Sequence, residues 1–439
     1  MSAFTTDIES QEPQQQIAPP VPASIEDTGL PASTIEQLML KVLYFRGETA
    51  GSEISRSMGL NFSLIDPIVE FLKRQRMVEV KRSLGLGNAS SMFSLTETGR
   101  HHAREYLDTN SYVGPAPVPL EQYTDMVRAQ RFQANWLTKE ALAAAYRHMV
   151  MSSRVFSQLG PAVNAGKSFL IYGQPGNGKT YLAEALFEIE CAPIFIPYAI
   201  ECQGSIVQLY DPLYHQRIDE DESVSVLSFD RQYDGRWLRC RRPFIVTGGE
   251  LTLEMLDLSY NPSSKVYDAP FQLKANNGIY LIDDFGRQKV TPAEVLNRWI
   301  VPMERRIDYL TFKTGGKMAV PFEAFLVFST NLKPDQLGDE AFLRRIQYKM
   351  LVRSPEPQEF AEIFHRFCLS KNLPYADGLI QRFIEKHYRR TGKPMRRCHP
   401  RDVITHAIDL LHFERLPYQL TDEVLDHAFE SCFIKETEE

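Results

Sequence analysis

The sequence predicts an α/β protein: a parallel sheet covered by helices, followed by a small all-helical unit and preceded by a separate α+β unit. Three observations lead there. From Phe132 to Arg353 apolar strand-like runs alternate with amphipathic helical stretches, the pattern of a parallel sheet wound through helical crossovers. After Pro355 the apolar spacing is helical throughout. Between 168 and 186 an apolar run, a glycine-rich loop and a helical stretch follow one another without a gap.

Composition narrows the class. The chain has 439 residues, which at roughly 150 per domain corresponds to two or three domains. Hydrophobic residues at 43% and charged residues at 24% exclude a wholly disordered chain. A net charge of −7 excludes a nucleic-acid polycation, though not a local basic patch. No run of ~18 uninterrupted apolar residues occurs, so no membrane partner is expected. Before Lys41 there is neither a Lys or Arg nor an apolar core, which fits neither a secretory signal nor a transit peptide. The six cysteines (191, 202, 240, 368, 398 and 432) form no C-x-x-C pair and read as reduced thiols. The expectation is a cytoplasmic protein.

Residues 1–31 are rich in Gln, Pro and Ser and read as a disordered tail, with too little apolar surface to offset ordering entropy. In 32–109, Ile35, Leu38, Met39, Val42 and Leu43 recur at helical spacing. Helices are expected over 50–58 and 63–75, strands over 78–81 and 92–95 around the tip Gly85-Leu86-Gly87-Asn88, and a last helix capped by Thr96 or Thr98. This order, and the run Phe93-Ser94-Leu95-Thr96-Glu97-Thr98-Gly99-Arg100, resembles a winged-helix domain. Residues 110–131, with Pro115, Pro117 and Pro119, read as a proline-stiffened linker. Residues 132–353 carry the sheet, and 354–439 carry helices near 360–368, 379–387, 400–411 and 421–431.

The chemistry centres on Gly173-Gln174-Pro175-Gly176-Asn177-Gly178-Lys179-Thr180, a G-x-x-x-x-G-K-[ST] match between the apolar run 168–172 and the helical run 181–186. Glycines let backbone N–H groups turn inward, and the positive helix end adds to the field. Lys179 would reach the β- and γ-phosphates of ATP, and the Thr180 hydroxyl would ligate Mg²⁺. A carboxylate on a neighbouring strand end is also needed. Ile279-Tyr280-Leu281-Ile282-Asp283-Asp284 supplies two, with Asp283 for the Mg²⁺ shell and Asp284 to polarise the attacking water. A third apolar run, 324–330, ends at Asn331, an amide suited to orienting that water. Competing hydrolytic signatures are missing: there is no G-x-S-x-G and no H-E-x-x-H, and Cys398-His399 is an isolated pair.

Over residues 132–439 this order resembles the AAA+ ATPases, which are P-loop NTPases with a C-terminal helical lid. The resemblance implies that Asn331 is sensor 1 and that Arg345, with Arg344 as the alternative, is an arginine finger received by a neighbouring subunit. It also implies that Arg401 is the sensor-2 arginine of the lid, with Arg396 and Arg397 close enough to compete. Asp284 stands where many members carry Glu, which bears on rate more than on binding. By the same resemblance the partners are ATP and further copies of the chain in a ring, a hexamer being the usual size.

Two features look like the branch holding the MoxR, magnesium-chelatase and enhancer-binding-activator ATPases. One is a hairpin over 308–312 and 318–322 with Gly315-Gly316 at its tip. The other is the long stretch between an expected sheet strand at 193–200 and Asp283, containing strands over 224–229 and 237–246 and a helix over 251–258. The run Leu273-Lys274-Ala275-Asn276-Asn277-Gly278 is similar to that branch too. Tyr210 and Tyr214 read first as packing for this insertion, and as pore aromatics second. The acids 219–222 and the basic set Arg236, Arg239, Arg241 and Arg242 read as solvated loop, with pairing across subunits as the other choice.

Lys73, Arg74, Arg76, Lys81 and Arg82 cluster on the N-terminal unit, which leaves two roles open for 63–82, duplex DNA binding or protein docking. The expected function is therefore an ATP hydrolase, Mg²⁺-dependent and oligomeric, that remodels a protein or protein–nucleic-acid partner in chaperone-like fashion. The alternative is an ATP-gated DNA-binding regulator.

Overall fold

The computed structural model describes residues 17–83, 87–133, 136–218, 232–338 and 340–433. The wing tip at 84–86, the acids 219–222 and the strand expected over 224–229 lie outside the described residues.

The central sheet has five parallel strands, numbered along the chain β1 (Ser168–Tyr172), β2 (Phe244–Thr247), β3 (Ile279–Ile282), β4 (Phe325–Thr330) and β5 (Tyr348–Leu351). Their order across the sheet is β2-β3-β4-β1-β5. Every β3 and β4 residue is buried, as a sheet covered on both faces requires. Alternation along the strands feeds two cores. Leu170, Ile245, Tyr280, Ile282, Leu326 and Phe328 meet Trp299 and Leu296 of the helix Pro292–Arg305 on one face. Phe169, Ile171, Leu281, Phe325 and Val327 meet Leu159 and Val163 of Ser153–Ala165 on the other. Thr291 caps the first helix reciprocally with Glu294, and Pro292 opens it without losing a needed N–H.

The lid follows. Helices Pro357–Ser370, Leu379–Ile384, His399–Phe413 and Asp422–Cys432 close around Phe360, Phe364, Phe383, Tyr388 and Phe429, at the expected places. The hairpin is also found, as Ile307–Thr311 against Lys317–Pro321.

Several expectations are corrected. The run 193–200 is not a strand of the central sheet. Ile194–Pro197 pairs antiparallel with Trp237–Cys240, and Ala199–Cys202 turns back on Ser205–Gln208. The place beside β3 belongs to Phe244–Thr247. The helix expected over 251–258 is a single tight turn, Glu254–Leu256, because the chain straightens into the strand Ser259–Asn261.

Within the expected tail, residues 17–31 are packed. Thr28 and Leu30 are buried, and the Pro19 carbonyl accepts from the Asp234 N–H at 3.1 Å. Within the expected linker, Val118–Pro119 adds a parallel edge strand to Ala199–Cys202, and the helix Leu120–Ala129 buries Tyr123 and Val127. Proline is compatible with such an edge.

One reason for both lies in Arg236, expected to be solvated and found 1% exposed. It pairs with Asp234 at 2.8 Å and donates to the Thr28 carbonyl at 2.8 Å and to Gln122 Oε1 at 3.1 Å. A buried guanidinium needs acceptors on every side, and these two segments supply them. Arg242 is also internal, donating to the carbonyls of Asn277 at 2.7 Å and Gln130 at 2.9 Å.

The N-terminal unit holds the helices Ala32–Arg46, Gly51–Met58 and Phe62–Arg74, the strands Val78–Ser83 and Ser91–Leu95, and the helix Glu97–Thr109. It rests on the insertion: the Lys265 ammonium donates to the Asp108 carbonyl, and Gly59 lies so close to Gly235 that a Cβ would sit 2.5 Å from its oxygen.

Candidate nucleotide site

The C-terminal edges of β1, β4 and β3 lie side by side, with Tyr172 level with Thr330 and Ile282 level with Phe328. Gly173, Asn331 and the pair Asp283-Asp284 therefore leave neighbouring strands at one edge, where parallel α/β sheets place their ligands.

Gly173 leaves β1 at φ 149°, where a Cβ would lie 2.4 Å from the Val352 carbonyl oxygen. Gly176 and Gly178 have φ 78° and 81°, and Gly178 opens the helix Lys179–Glu184. All three positions lie where side chains are strained, so the loop keeps its open curve. Lys179 is buried, at 6% exposure. Its ammonium donates to Asn331 Oδ1 at 2.6 Å and to the Gln174 carbonyl at 3.1 Å. Burial pulls its pKa below the usual lysine value; Asp284 and Asp283 oppose this, and Arg396 and Arg287 add to it.

The Thr180 hydroxyl donates to Asp283 Oδ2 at 2.9 Å and lies 3.1 Å from Oδ1. A hydroxyl and a carboxylate in contact at a strand edge are hard oxygen donors of the kind Mg²⁺ takes, so these residues fit the ion. Asp284 has φ 48°, left-handed backbone that Asp tolerates better than most side chains. The turn is fastened by the Phe285 N–H on the Ser329 carbonyl at 2.7 Å. Asn331 Nδ2 then donates to Asp284 Oδ1 at 3.0 Å. The amide of Asn331 thus bridges Lys179 and Asp284.

The lid touches the loop. Arg396 Nη1 donates to the Pro175 carbonyl at 2.6 Å and the Cys398 N–H to the Gly176 carbonyl at 2.9 Å. A Cβ at Gly176 would meet Cys398 Sγ at 2.7 Å. Asn177 is buried beneath this contact; its Nδ2 reaches Ser354 Oγ at 3.4 Å, and its Oδ1 has no partner among the described residues.

The structure thus gathers Gly173 to Thr180, Asp283, Asp284 and Asn331. It does not bring Arg401 to them by any contact among the described residues: that guanidinium is exposed and pairs with Asp402 at 3.0 Å. Arg397 is engaged by Glu359 at 2.8 Å and the Val150 carbonyl at 2.7 Å. Arg345 pairs with Glu304 at 2.7 Å, whereas Arg344 is exposed. Sequence reasoning missed Arg287, near enough to act on Lys179; its only signal is its place three residues after Asp284. Tyr210 and Tyr214 pack within the insertion, their rings 5.6 Å from Tyr198 and 5.7 Å from Phe271.

A family model described as a domain of unknown function, DUF8689, matches residues 356–431, within the lid. No curated protein matches the chain. Among solved structures, NtrX from Brucella abortus is similar at 12% identity and a TM-score of 0.41, over 66% of this chain and 57% of that one. The chain thus spans less than two thirds of that relative. A RuvB variant of Thermotoga maritima is similar at 14% identity and a TM-score of 0.35, over 67% of this chain and 70% of that one. No helix among the described residues is long and apolar enough to cross a membrane. The strand order, the glycine loop with its lysine, the strand-edge acids and amide, and the C-terminal helices give this chain a P-loop type α/β fold, a parallel sheet followed by a helical lid.

Proposed function

We propose that this chain is a Mg²⁺-dependent ATPase that works as a ring of copies to remodel a protein or protein–nucleic-acid partner. The observation that carries the reading is the continuous path Asp283–Thr180 and Lys179–Asn331–Asp284 across three strand ends. Lys179, held by two neutral oxygens, is a buried cation ready to exchange them for phosphate oxygens. Thr180 and Asp283 would hold Mg²⁺, which supplies charge neutralisation at the phosphates. Asp284 accepts a hydrogen bond from a water and aligns it, while Asn331 fixes the carboxylate's direction through Nδ2. Arg396, already on the loop, is the lid residue that senses the γ-phosphate, in place of Arg401.

A neighbouring subunit would complete the site with Arg344, since Arg345 is tied to Glu304. A trans arginine is worth ~10³–10⁵ in rate, so turnover per subunit should climb steeply with protein concentration. Concentration-independent turnover by a proven monomer would remove the ring from this account.

The reading as a DNA-binding regulator is not favoured. Lys73 pairs with Glu70 at 2.7 Å, Lys81 with Glu79 at 2.7 Å and Arg82 with Glu48 at 3.4 Å. The N-terminal unit is also seated on the insertion, which suits docking and positioning. A salt-dependent shift assay on duplex DNA tests this, and tight low-salt binding would reverse the preference.

A further inference from the structure

At the other end of the central sheet lies a cavity of about 600 Å³ that the nucleotide reading leaves unused. Its lining includes Arg128, Arg131, Lys167, Arg306 and Glu323, four cations against one carboxylate. Lys167 immediately precedes β1, and Glu323 lies two residues before β4. The cavity is thus at the N-terminal strand ends, whereas Gly173 and Asn331 leave the C-terminal ends. β1 has five residues, about 17 Å of chain at ~3.3 Å each, so one small ligand cannot occupy both places.

The charges there are poorly answered. Arg131 and Lys167 are exposed, and among the described residues their side chains make no hydrogen bond or ion pair, although Arg131 acts on Glu323 through space. Arg128 has only Asp125 at 4.0 Å, with both side chains mostly exposed. Arg306 donates to the Phe322 carbonyl at 3.4 Å and stands at φ 57°. No ion pair joins it to Glu323 within 4.0 Å, although each acts on the other across the cavity. Burial holds the Arg306 pKa down and the Glu323 pKa up, so both pay a desolvation cost facing this space. Like charges gathered around a recess create a positive potential that favours an anion entering it.

We propose that this cavity binds the phosphate end of a small phosphorylated ligand. A net excess of three positive charges calls for a multiply charged anion, and a phosphate ester carries close to two negative charges at neutral pH. Guanidinium forks suit phosphate oxygens. The volume is that of a small-molecule site. Phe132 in the wall is not a free stacking platform for a base, because the Arg242 guanidinium lies 4.4 Å over its ring and Trp136 packs 4.6 Å away. The recognition therefore falls on the anion.

The test uses the full chain with Lys179→Ala, so that the loop at 173–180 does not compete, and inorganic pyrophosphate as probe in titration calorimetry. Should that variant misfold, wild-type protein saturated with a non-hydrolysable ATP analogue and Mg²⁺ replaces it. Saturable binding is expected. Arg131→Gln with Lys167→Gln should weaken it about tenfold or more, and Glu323→Gln should tighten it several-fold. No saturable binding overturns the proposal, and so does binding indifferent to Arg131 and Lys167. Retention of a single-stranded oligonucleotide without pyrophosphate binding would also overturn it, by assigning the charge to a polymer. The site is independent of the ATPase reading, and either can fail alone.

Discussion

Lys179 and Asn331 are joined by a 2.6 Å hydrogen bond from the loop ammonium to the strand-end amide oxygen. The same amide donates its other end to Asp284 at 3.0 Å, so one neutral group links a cation and a carboxylate. A nucleotide bound as proposed would take the ammonium from that oxygen, which would make the Asn331–Asp284 pair a reporter of what occupies the loop.

Lys179→Ala should lose ATP affinity by roughly 10–100-fold, the worth of a hydrogen bond to a charged group. Fluorescent-nucleotide titration checks it, and unchanged affinity would detach Lys179 from the phosphates.

Arg396→Ala should reduce turnover by ~10²-fold, the typical cost of losing one charge-stabilising donor, whereas Arg401→Ala should stay near wild type. Steady-state kcat for the two variants decides between them. The reverse order would restore Arg401 to the role that its sequence position implies.

Arg236→Met should destabilise the chain by about 3–5 kcal/mol, because Asp234 is left buried and unpaired. The double change with Asp234→Asn should recover part of the loss. Urea midpoints of the three variants measure both effects.

The alternation, the loop and the Asp-Asp strand end were legible because each is contiguous. Gly173 to Thr180 occupies eight successive positions between its own strand and helix, and Asp283-Asp284 directly follows four buried apolar residues. Strand partnership was not legible. Ile194–Pro197 and Phe244–Thr247 are equally apolar runs of four, and only the distant pairing of the first with Trp237–Cys240 decides which joins the sheet. Nor could composition show that 17–31 and 110–131 fold, since their acceptors are called for by Arg236, more than a hundred residues later. The choice among the lid arginines was not legible for a similar reason. Position in the motif favours Arg401, but the chain before Cys398 turns Arg396 onto Pro175.

Stability should fall as pH drops from about 6.5 towards 4. Burial lowers the His215 pKa from 6.5 to about 4, and His399 likewise. The folded state keeps both neutral while the unfolded chain takes up protons, so their contribution is whole above pH 6.5 and is lost on acidification. His215 Nδ1 accepts from the Asp211 N–H at 3.0 Å, and Nε2 lies 2.9 Å from the Lys274 carbonyl, so a proton on Nδ1 would break the first bond. Urea unfolding at pH 7 and pH 5 should show the drop, and His215→Gln should reduce it, leaving the share due to His399. A flat profile in the wild type would contradict the burial argument.

Single-turnover and steady-state release of phosphate from ATP, with and without Mg²⁺, in wild type and Asp284→Asn, tests the central claim most directly. The account predicts Mg²⁺-dependent release by the wild type, and a variant that binds ATP as tightly but turns over ~10²–10⁴-fold more slowly. A wild type that neither retains nor cleaves ATP, or a variant as fast as its parent, would contradict it.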